Sequence, residues 1–326
     1  MINISFDKRL ELLFGLQYCT FKDNNIKQDI FQENNKQYCE DFYNLYKENA
    51  SEELIEYIKN GGLDLYNRTV DISDSLDKNY NIIENEKIKK ISSNNKNFDK
   101  DKLNRLLNEF IIKSNYEKFY EDHKSYYDEV VNVFKKSLNY LVDYDDKMLT
   151  DFYGYKLNDF QIIVFNFTRG SFGMDFDNKI TYIANTYPSE NENELVRVPN
   201  RIIATLFHEF SHPYCNPLGY KYFNDDSIKN IEEESIQNGL EDCYRGITVI
   251  NEYMVRAVQM YLSKKYIPNE YYNIENDIKR HQSKGFVHID ELLELLSKKE
   301  EYDNFEDFYK EQIVSFFSKL NNSKKL

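Results

Sequence analysis

The sequence is poor in the residues that interrupt helices. Its 326 residues include only 10 glycines and 5 prolines, and it contains no tryptophan. Glycine and proline are the strongest breakers of regular structure, so their scarcity favours long helices. Aromatic residues still make up 16% of the chain, through 28 tyrosines and 23 phenylalanines. A chain of this length and composition can bury a large core in one or two domains, which excludes a wholly disordered protein.

Basic charge and long apolar runs are also lacking. The formal net charge is −14, whereas nucleic acids and anionic membranes are bound by basic surfaces. No apolar run approaches the roughly 18 residues that a transmembrane helix needs. The start, MINISFDKRLELLFGLQYCT, carries charges ahead of a short apolar stretch and has no small-residue cleavage site, unlike a secretory signal. We therefore expect a cytoplasmic protein with no nucleic-acid and no membrane partner.

Cysteine is scarce as well. The four cysteines, at positions 19, 39, 215 and 243, form no CxxC pair. In a cytoplasmic chain such cysteines are predicted to be reduced core residues. Cys215 lies three residues after His212, but no second cysteine is near it in the sequence. A buried thiol is therefore favoured over a zinc ligand at this position.

Helical periodicity and turn residues predict an α+β, predominantly helical fold. Residues 1–145 are predicted to form a helical N-terminal region, and residues 146–326 a zincin-like catalytic region. The β-branched and aromatic stretch 160–187 predicts a small antiparallel sheet of two or three strands. The helices predicted in the first region lie over 6–18, 36–48, 51–60 and, in two segments, 101–142. Those predicted after the helix that begins at 199 lie over 227–238, 246–263, 269–282, 289–298 and 304–320.

One segment of this helical chain contains two histidines at a spacing typical of metal ligands. The stretch TLFHEFSHPYCNP contains the pattern His-Glu-x-x-His at His208, Glu209 and His212. Two histidines one turn apart are about 6 Å apart along a helix axis, so both can bind one zinc ion at roughly 2.0–2.1 Å. Glu209 is rotated by about 100° from His208 around the axis. It is therefore predicted to act on a metal-activated water as the general base.

The surroundings of this motif indicate a buried helix. Between Arg201 and Lys221, Glu209 is the only charged residue, although 30% of the whole chain is charged. Burial of an uncompensated carboxylate is costly, and a cation bound beside it offers compensation. Zinc binding is therefore favoured over the alternative of two core histidines that are hydrogen-bonded to their neighbours. Pro199 is predicted to open this helix and Pro213 to end it.

A third ligand is needed, and the sequence offers two candidates. The metzincin spacing would place a histidine at position 218, which is leucine, so that class is excluded. Glu252 lies in the apolar stretch GITVINEYMVRAVQMYLS, where it and Arg256 are the only charges. The other candidate is the acidic run 232–234, in a stretch typical of a solvated helix face. Because a buried ion pair alone is a poor stabiliser, Glu252 is favoured as the ligand, with Arg256 as its partner or a substrate clamp.

These segments together resemble a known group of enzymes. HEFSH, followed some 40 residues later by NEYMVRA, resembles the gluzincins, zinc metallopeptidases with a downstream glutamate on a second helix. The longer segment HEFSHPYCNP is similar to an uncharacterised bacterial family of gluzincin-like proteins, known only as a domain of unknown function. The resemblance implies zinc ligands at His208, His212 and Glu252. It also implies Glu209 as the general base.

The predicted function is zinc-dependent hydrolysis of peptide bonds, with no other cofactor. The resemblance also implies that an edge strand within 170–185 pairs with an extended peptide or protein substrate. Arg256 and Tyr253 are candidates for contacting a metal-binding residue or the substrate. Further candidates for polarising the scissile carbonyl are Tyr220, Tyr244 and His281. Two alternatives stay open: an inactive zinc-binding scaffold or regulator, and a zinc hydrolase of a non-peptide substrate.

Overall fold

The fold is α+β and predominantly helical, as the sequence predicts. In the computed structural model, most of the described residues are helical, and a small sheet of mixed strands accompanies the helices. The structure describes residues 2–26, 31–63, 67–139, 147–191 and 194–323. No helix within these ranges is long and apolar enough to cross a membrane.

The chain forms two compact units. The N-terminal unit comprises Asn3–Lys136 and Gln161–Pro199. The C-terminal unit comprises Ser137–Phe160 and Asn200–Leu326, together with Met1–Ile2. The predicted regions, 1–145 and 146–326, separate a catalytic part from the rest of the chain, and that division stays a prediction.

Five of the first eight helices begin at polar residues that cap their free N–H groups. Ser51 accepts a hydrogen bond from the backbone N–H of Leu54, and the helix that follows it ends before Asn60, as predicted. Asp7 caps the first helix, which packs on the sheet through the rings of Phe14 and Phe165, 5.0 Å apart. The first eight helices are α1 (Lys8–Asp23), α2 (Lys36–Asn49), α3 (Glu52–Lys59), α4 (Asn67–Asp74), α5 (Glu86–Asn94), α6 (Lys100–Ser114), α7 (Tyr116–Asp122) and α8 (Lys124–Leu138).

The four-stranded sheet is mixed, which corrects the prediction of a purely antiparallel one. Its strands are β1 (Asn3–Ser5), β2 (Phe160–Phe165), β3 (Phe172–Phe176) and β4 (Lys179–Asn185), in the order β1-β2-β4-β3. β3 and β4 form an antiparallel hairpin at the Asp177-Asn178 turn, where both residues have positive φ. β1 pairs in parallel with β2. Three residues are too few for an alternating pattern to reveal β1 in the sequence. A separate pair is formed by β5 (Tyr187–Pro188) and β6 (Val196–Arg197).

The C-terminal unit is built around two long helices that pack against each other, α10 and α12. Its helices are α9 (Lys147–Tyr153), α10 (Asn200–Tyr222), α11 (Lys229–Gln237), α12 (Ile247–Tyr266), α13 (Ile274–Gln282), α14 (Ile289–Leu296), α15 (Phe305–Phe308) and α16 (Val314–Ser323). The His-Glu-x-x-His motif lies on α10, and Glu252 lies on α12.

α10 is longer than predicted. Pro199 directly precedes it, as expected, but Pro213 and Pro217 lie inside it. The prediction that Pro213 ends the helix is therefore wrong. A proline inside a helix removes one hydrogen bond and costs ~3 kcal/mol. Burial of the residues that follow it, such as Tyr214 and Cys215, offsets this cost and continues the helix.

Three of the four cysteines lie where the sequence predicts. Cys19, Cys39 and Cys215 are buried and free. Cys243 is exposed, which corrects the prediction that it is a core residue. It lies in the irregular segment between α11 and α12, whereas the three buried cysteines lie on the buried faces of helices.

Candidate metal centre

His208, His212 and Glu252 converge on one point in the C-terminal unit. The Nε2 atoms of the two histidines are 3.2 Å apart. The Nε2 atom of His208 lies 3.7 Å from Oε2 of Glu252, and that of His212 lies 3.7 Å from Oε1. Their ligand atoms all lie within 4.8 Å of one another. Among the described residues, this is the one such group of three histidine, cysteine or carboxylate side chains.

These distances fit a single tetrahedral cation. Two atoms that each lie about 2.0–2.2 Å from zinc, at the tetrahedral angle, are about 3.3–3.6 Å apart. The two nitrogens are 3.2 Å apart, and each lies 3.7 Å from a different oxygen of Glu252, so these separations are close to this range. Two imidazoles and one carboxylate are also a ligand set of catalytic zinc, which keeps its fourth position open. The residues present therefore fit zinc in both geometry and chemistry.

The protein surrounds the rings of the two histidines differently. Burial lowers the pKa of His208 well below its usual value, and the charges of His212 and Arg256 act in the same direction. The Nδ1 atom of His212 lies 3.2 Å from Oδ1 of Asn216, one turn further along α10. Because the amide oxygen can only accept, we assign the proton to Nδ1 of His212. Its Nε2 atom then directs a lone pair at the cluster.

A close contact beside the cluster sets the distance between α10 and α12. A Cβ atom at Gly219 would lie 1.9 Å from Oδ1 of Asn251, so the helices approach there more closely than an alanine allows. Gly219 lies two turns after His212, on the same face of α10. Asn251 directly precedes Glu252. This contact therefore fixes the distance between the helix that carries the histidines and the helix that carries the carboxylate.

Glu209 lies beside the three converging residues. Its Oε2 atom is 3.9 Å from Nε2 of His212, and its side chain is 13% exposed. The side chain leaves α10 about 100° away from that of His208, so it reaches the flank of the cluster. From there it can take a proton from a water molecule at the open position.

The acidic run 232–234 lies elsewhere. Oε1 of Glu232 accepts a hydrogen bond from the backbone N–H of Gly246, at 3.1 Å. Oε2 of Glu234 lies 2.9 Å from Nε2 of His288. Glu233 is exposed. The structure thus brings Glu252 to the histidine pair, and gives two of the three alternative carboxylates other partners.

Arg256 links Glu252 to a further set of side chains. Its Nη2 atom donates to Oε2 of Glu252 at 2.7 Å and to the Tyr244 hydroxyl at 3.2 Å. Its Nη1 atom lies 3.4 Å from Nδ1 of His281. The guanidinium also lies over the ring of Phe286, 4.5 Å from the centroid. Arg256 is therefore held from several directions while it contacts the carboxylate.

The tyrosine candidates differ in position. The Tyr253 hydroxyl lies 3.3 Å from Oγ of Ser235 and 3.4 Å from the carbonyl oxygen of Gly285, so this residue packs in the core. Tyr220 is 62% exposed at the end of α10. Tyr244 reaches Arg256 and is half-buried. Burial, and next the charge of Glu252, raise the pKa of Tyr244 to about 12, so its hydroxyl stays protonated.

Sequence reasoning missed three residues that shape this site. Asn216 lies one turn after His212, and the rule that a ligating histidine needs an outer partner could have pointed to it. The pairing of Gly219 with Asn251 had no such signal, because a glycine in a helix is also compatible with an open surface.

The comparisons with known proteins give a family and no activity. A family model described as Domain of unknown function (DUF4932) matches residues 55–322. No curated protein and no solved structure matches the chain. The matched range includes α10 and α12, with all the converging residues. The predicted resemblance to a family known only as a domain of unknown function is confirmed.

Proposed function

We propose that this chain, which belongs to the family described as Domain of unknown function (DUF4932), is a zinc-dependent metallopeptidase. The convergence of His208, His212 and Glu252 on one point, with Glu209 at its flank, carries the proposal. Zinc bound there would supply a Lewis acid that acidifies a water molecule and polarises the scissile carbonyl. A cytoplasmic location is part of the same proposal.

The residues of the chain then have separate tasks. His208, His212 and the carboxylate of Glu252 would hold the cation. Glu209 takes the proton from the attacking water at a carboxylate oxygen and passes it to the leaving nitrogen. Arg256 holds Glu252 in place from the other side.

The substrate class follows from the gluzincin-like segments. HEFSH and NEYMVRA imply a peptide or protein substrate. The predicted pairing of an extended substrate with an edge strand within 170–185 stays a prediction. β3 lies at the edge of its sheet within that segment.

Metal analysis and one substitution test the proposal. The purified protein should hold close to one zinc per chain, because three converging ligands make one site. Glu209→Gln should keep the fold and the zinc but lose hydrolysis of a mixed library of quenched fluorescent peptides, since only the proton acceptor is removed. The matched control is Glu233→Gln, which neutralises an exposed glutamate of the same unit.

Each failure would have a distinct meaning. A protein that neither holds zinc nor takes up added zinc would overturn the metal site. Full activity in Glu209→Gln would overturn the role of Glu209. Bound zinc with hydrolysis of simple esters, but of no peptide, would transfer the function to the hydrolysis of non-peptide substrates.

A further inference from the structure

The two oxygens of Glu252 are not equivalent. Oε2 accepts a hydrogen bond from Arg256 at 2.7 Å, while Oε1 faces Nε2 of His212 at 3.7 Å. Hydrogen bonds between a guanidinium and a carboxylate are among the strong ones, and burial strengthens this bond further. Oε2 also lies 3.7 Å from Nε2 of His208, so Arg256 holds the carboxylate by an oxygen that faces the same cluster.

Arg256 can be held in this position only if its other contacts are fixed. Its side chain is 11% exposed, and its Nε atom has no hydrogen-bond partner among the described residues. The contacts that orient it are Tyr244, His281 and the face of Phe286. His281 is fully buried, so it cannot move aside into solvent.

The protonation of His281 follows from its two neighbours. Nδ1 faces Arg256 at 3.4 Å, and Nε2 faces Arg280 at 3.2 Å. A neutral imidazole has a single acceptor nitrogen, and arginine only donates, so only one of these contacts is a hydrogen bond. Arg280 is half exposed and pairs with Asp277, so it can turn away, whereas the buried Arg256 cannot. Nδ1 of His281 therefore accepts from Arg256, and Nε2 carries the proton.

We propose that Arg256 and His281 are positioning residues for the metal ligand Glu252. His281 holds Arg256 against Oε2 of Glu252, and Arg256 thereby fixes the orientation of the carboxylate toward His208 and His212. This inference rests on the proposed function, because it concerns a ligand of the cation that the site would hold. It goes beyond it by adding His281, which acts on the ligand through Arg256 without contacting the cation.

Substitutions at His281 and Arg256 separate this role from simple packing. His281→Leu keeps an apolar side chain but removes the acceptor, and it should lower zinc affinity about 10- to 100-fold, as losses of outer partners do. His281→Asn places an amide oxygen where Nδ1 lies and should restore most of the affinity. Arg256→Lys keeps the charge, but it cannot contact Glu252, Tyr244 and His281 together, so it should behave like His281→Leu.

The matched control is Arg280→Ala. It removes the other arginine that faces His281 and should leave zinc affinity unchanged, because that contact is not the hydrogen bond. Zinc affinity is measured by competition with a chromophoric chelator, and folding is checked by circular dichroism in its presence. The visible spectrum of the cobalt-substituted protein gives a second readout. Its absorption should change in His281→Leu and Arg256→Lys, because a carboxylate that has lost its fixed orientation alters the coordination of the metal.

The outcomes separate this inference from the proposed function. A wild-type protein that binds neither zinc nor cobalt would overturn the proposed function, and this inference with it. A wild type that binds zinc, together with unchanged affinity and an unchanged cobalt spectrum in His281→Leu and Arg256→Lys, would overturn this inference alone. Weaker zinc binding in Arg280→Ala would overturn the assigned hydrogen bond. If His281→Leu does not fold, the zinc affinities of Arg256→Lys and His281→Asn test the inference instead. A lowered affinity in the first and a nearly normal affinity in the second would support it, and an unchanged affinity in both would overturn it.

Discussion

Gly219→Ala tests whether the close contact of α10 and α12 sets the geometry of the metal centre. At an open position inside a helix, this change stabilises a protein by ~1 kcal/mol. Here the new Cβ atom would lie 1.9 Å from Oδ1 of Asn251 and 3.0 Å from its Cγ. A flip of the amide gives no relief, because it would place Nδ2 where Oδ1 now lies, 1.9 Å from the same point. Asn251 is 3% exposed and cannot swing out.

The clash therefore has to move the helices. Ordinary contact begins at 3.4 Å, so the two side chains must separate by about 1.5 Å. Overpacking of this kind costs ~1–3 kcal/mol, which exceeds the gain in helix propensity. We expect Gly219→Ala to be less stable than the wild type by up to about 2 kcal/mol. Because Glu252 follows Asn251, the shift also draws the carboxylate away from His208 and His212, and zinc affinity should fall.

Urea unfolding in the presence of a chelator measures the first effect, and competition for zinc measures the second. The double variant Gly219→Ala/Asn251→Ala removes the obstructing amide and should recover part of the zinc affinity lost in the single variant. A Gly219→Ala protein that is more stable by ~1 kcal/mol and binds zinc normally would refute the reasoning, because it would show that the contact has room for a methyl group.

Two further changes probe the same unit. Glu252→Ala should greatly weaken zinc binding, whereas replacement of all three glutamates at 232–234 by alanine should barely affect it; normal zinc binding by Glu252→Ala would return the role to the acidic run. In chelator, Glu252→Ala should also lower the free energy of unfolding by roughly 3 kcal/mol or more, because Arg256 is left buried and unpaired. Partial burial opposes protonation of His288, but hydrogen bonds to Glu291 and Glu234 outweigh it and raise its pKa. This stabilisation is complete below about pH 6.5 and is lost as the pH rises through the raised pKa, so His288→Gln should lose more stability at about pH 6 than at about pH 9. Urea unfolding at both pH values measures this, and an equal loss at both would contradict it.

The residues of the candidate site could be predicted because charge inside an apolar helix is costly. α10 and α12 are nearly uncharged over their central turns, and Glu209 and Glu252 stand out there. A carboxylate in such a place needs a partner, and the two histidines offer one through a shared cation. The same reasoning set aside the acidic run, whose helix is polar on most of its surface.

Predictions from local sequence patterns failed where packing between distant segments determines the structure. Pro213 breaks a helix in isolation, but the buried residues that follow it continue α10. Tyr244 reaches Arg256 from an irregular segment, so no periodic spacing in the sequence relates the two. β1 is defined by its partner β2, more than 150 residues away, and not by a pattern of its own. Features of this kind depend on which segments meet, which one sequence does not reveal.

The energetics of α12 favour a bound cation over a purely structural role. A buried pair such as Glu252 and Arg256 is, for stability alone, often improved by ~1–4 kcal/mol when apolar residues of similar volume replace it. His208 adds to the cost, because its ring is buried with a lowered pKa and its Nε2 atom faces that of His212 at 3.2 Å. A cation at this point would bind both nitrogens and the carboxylate of Glu252 at once. At a free zinc concentration of 1,000 times its Kd, it would add ~4 kcal/mol to the free energy of unfolding, enough to offset the cost of the charged pair.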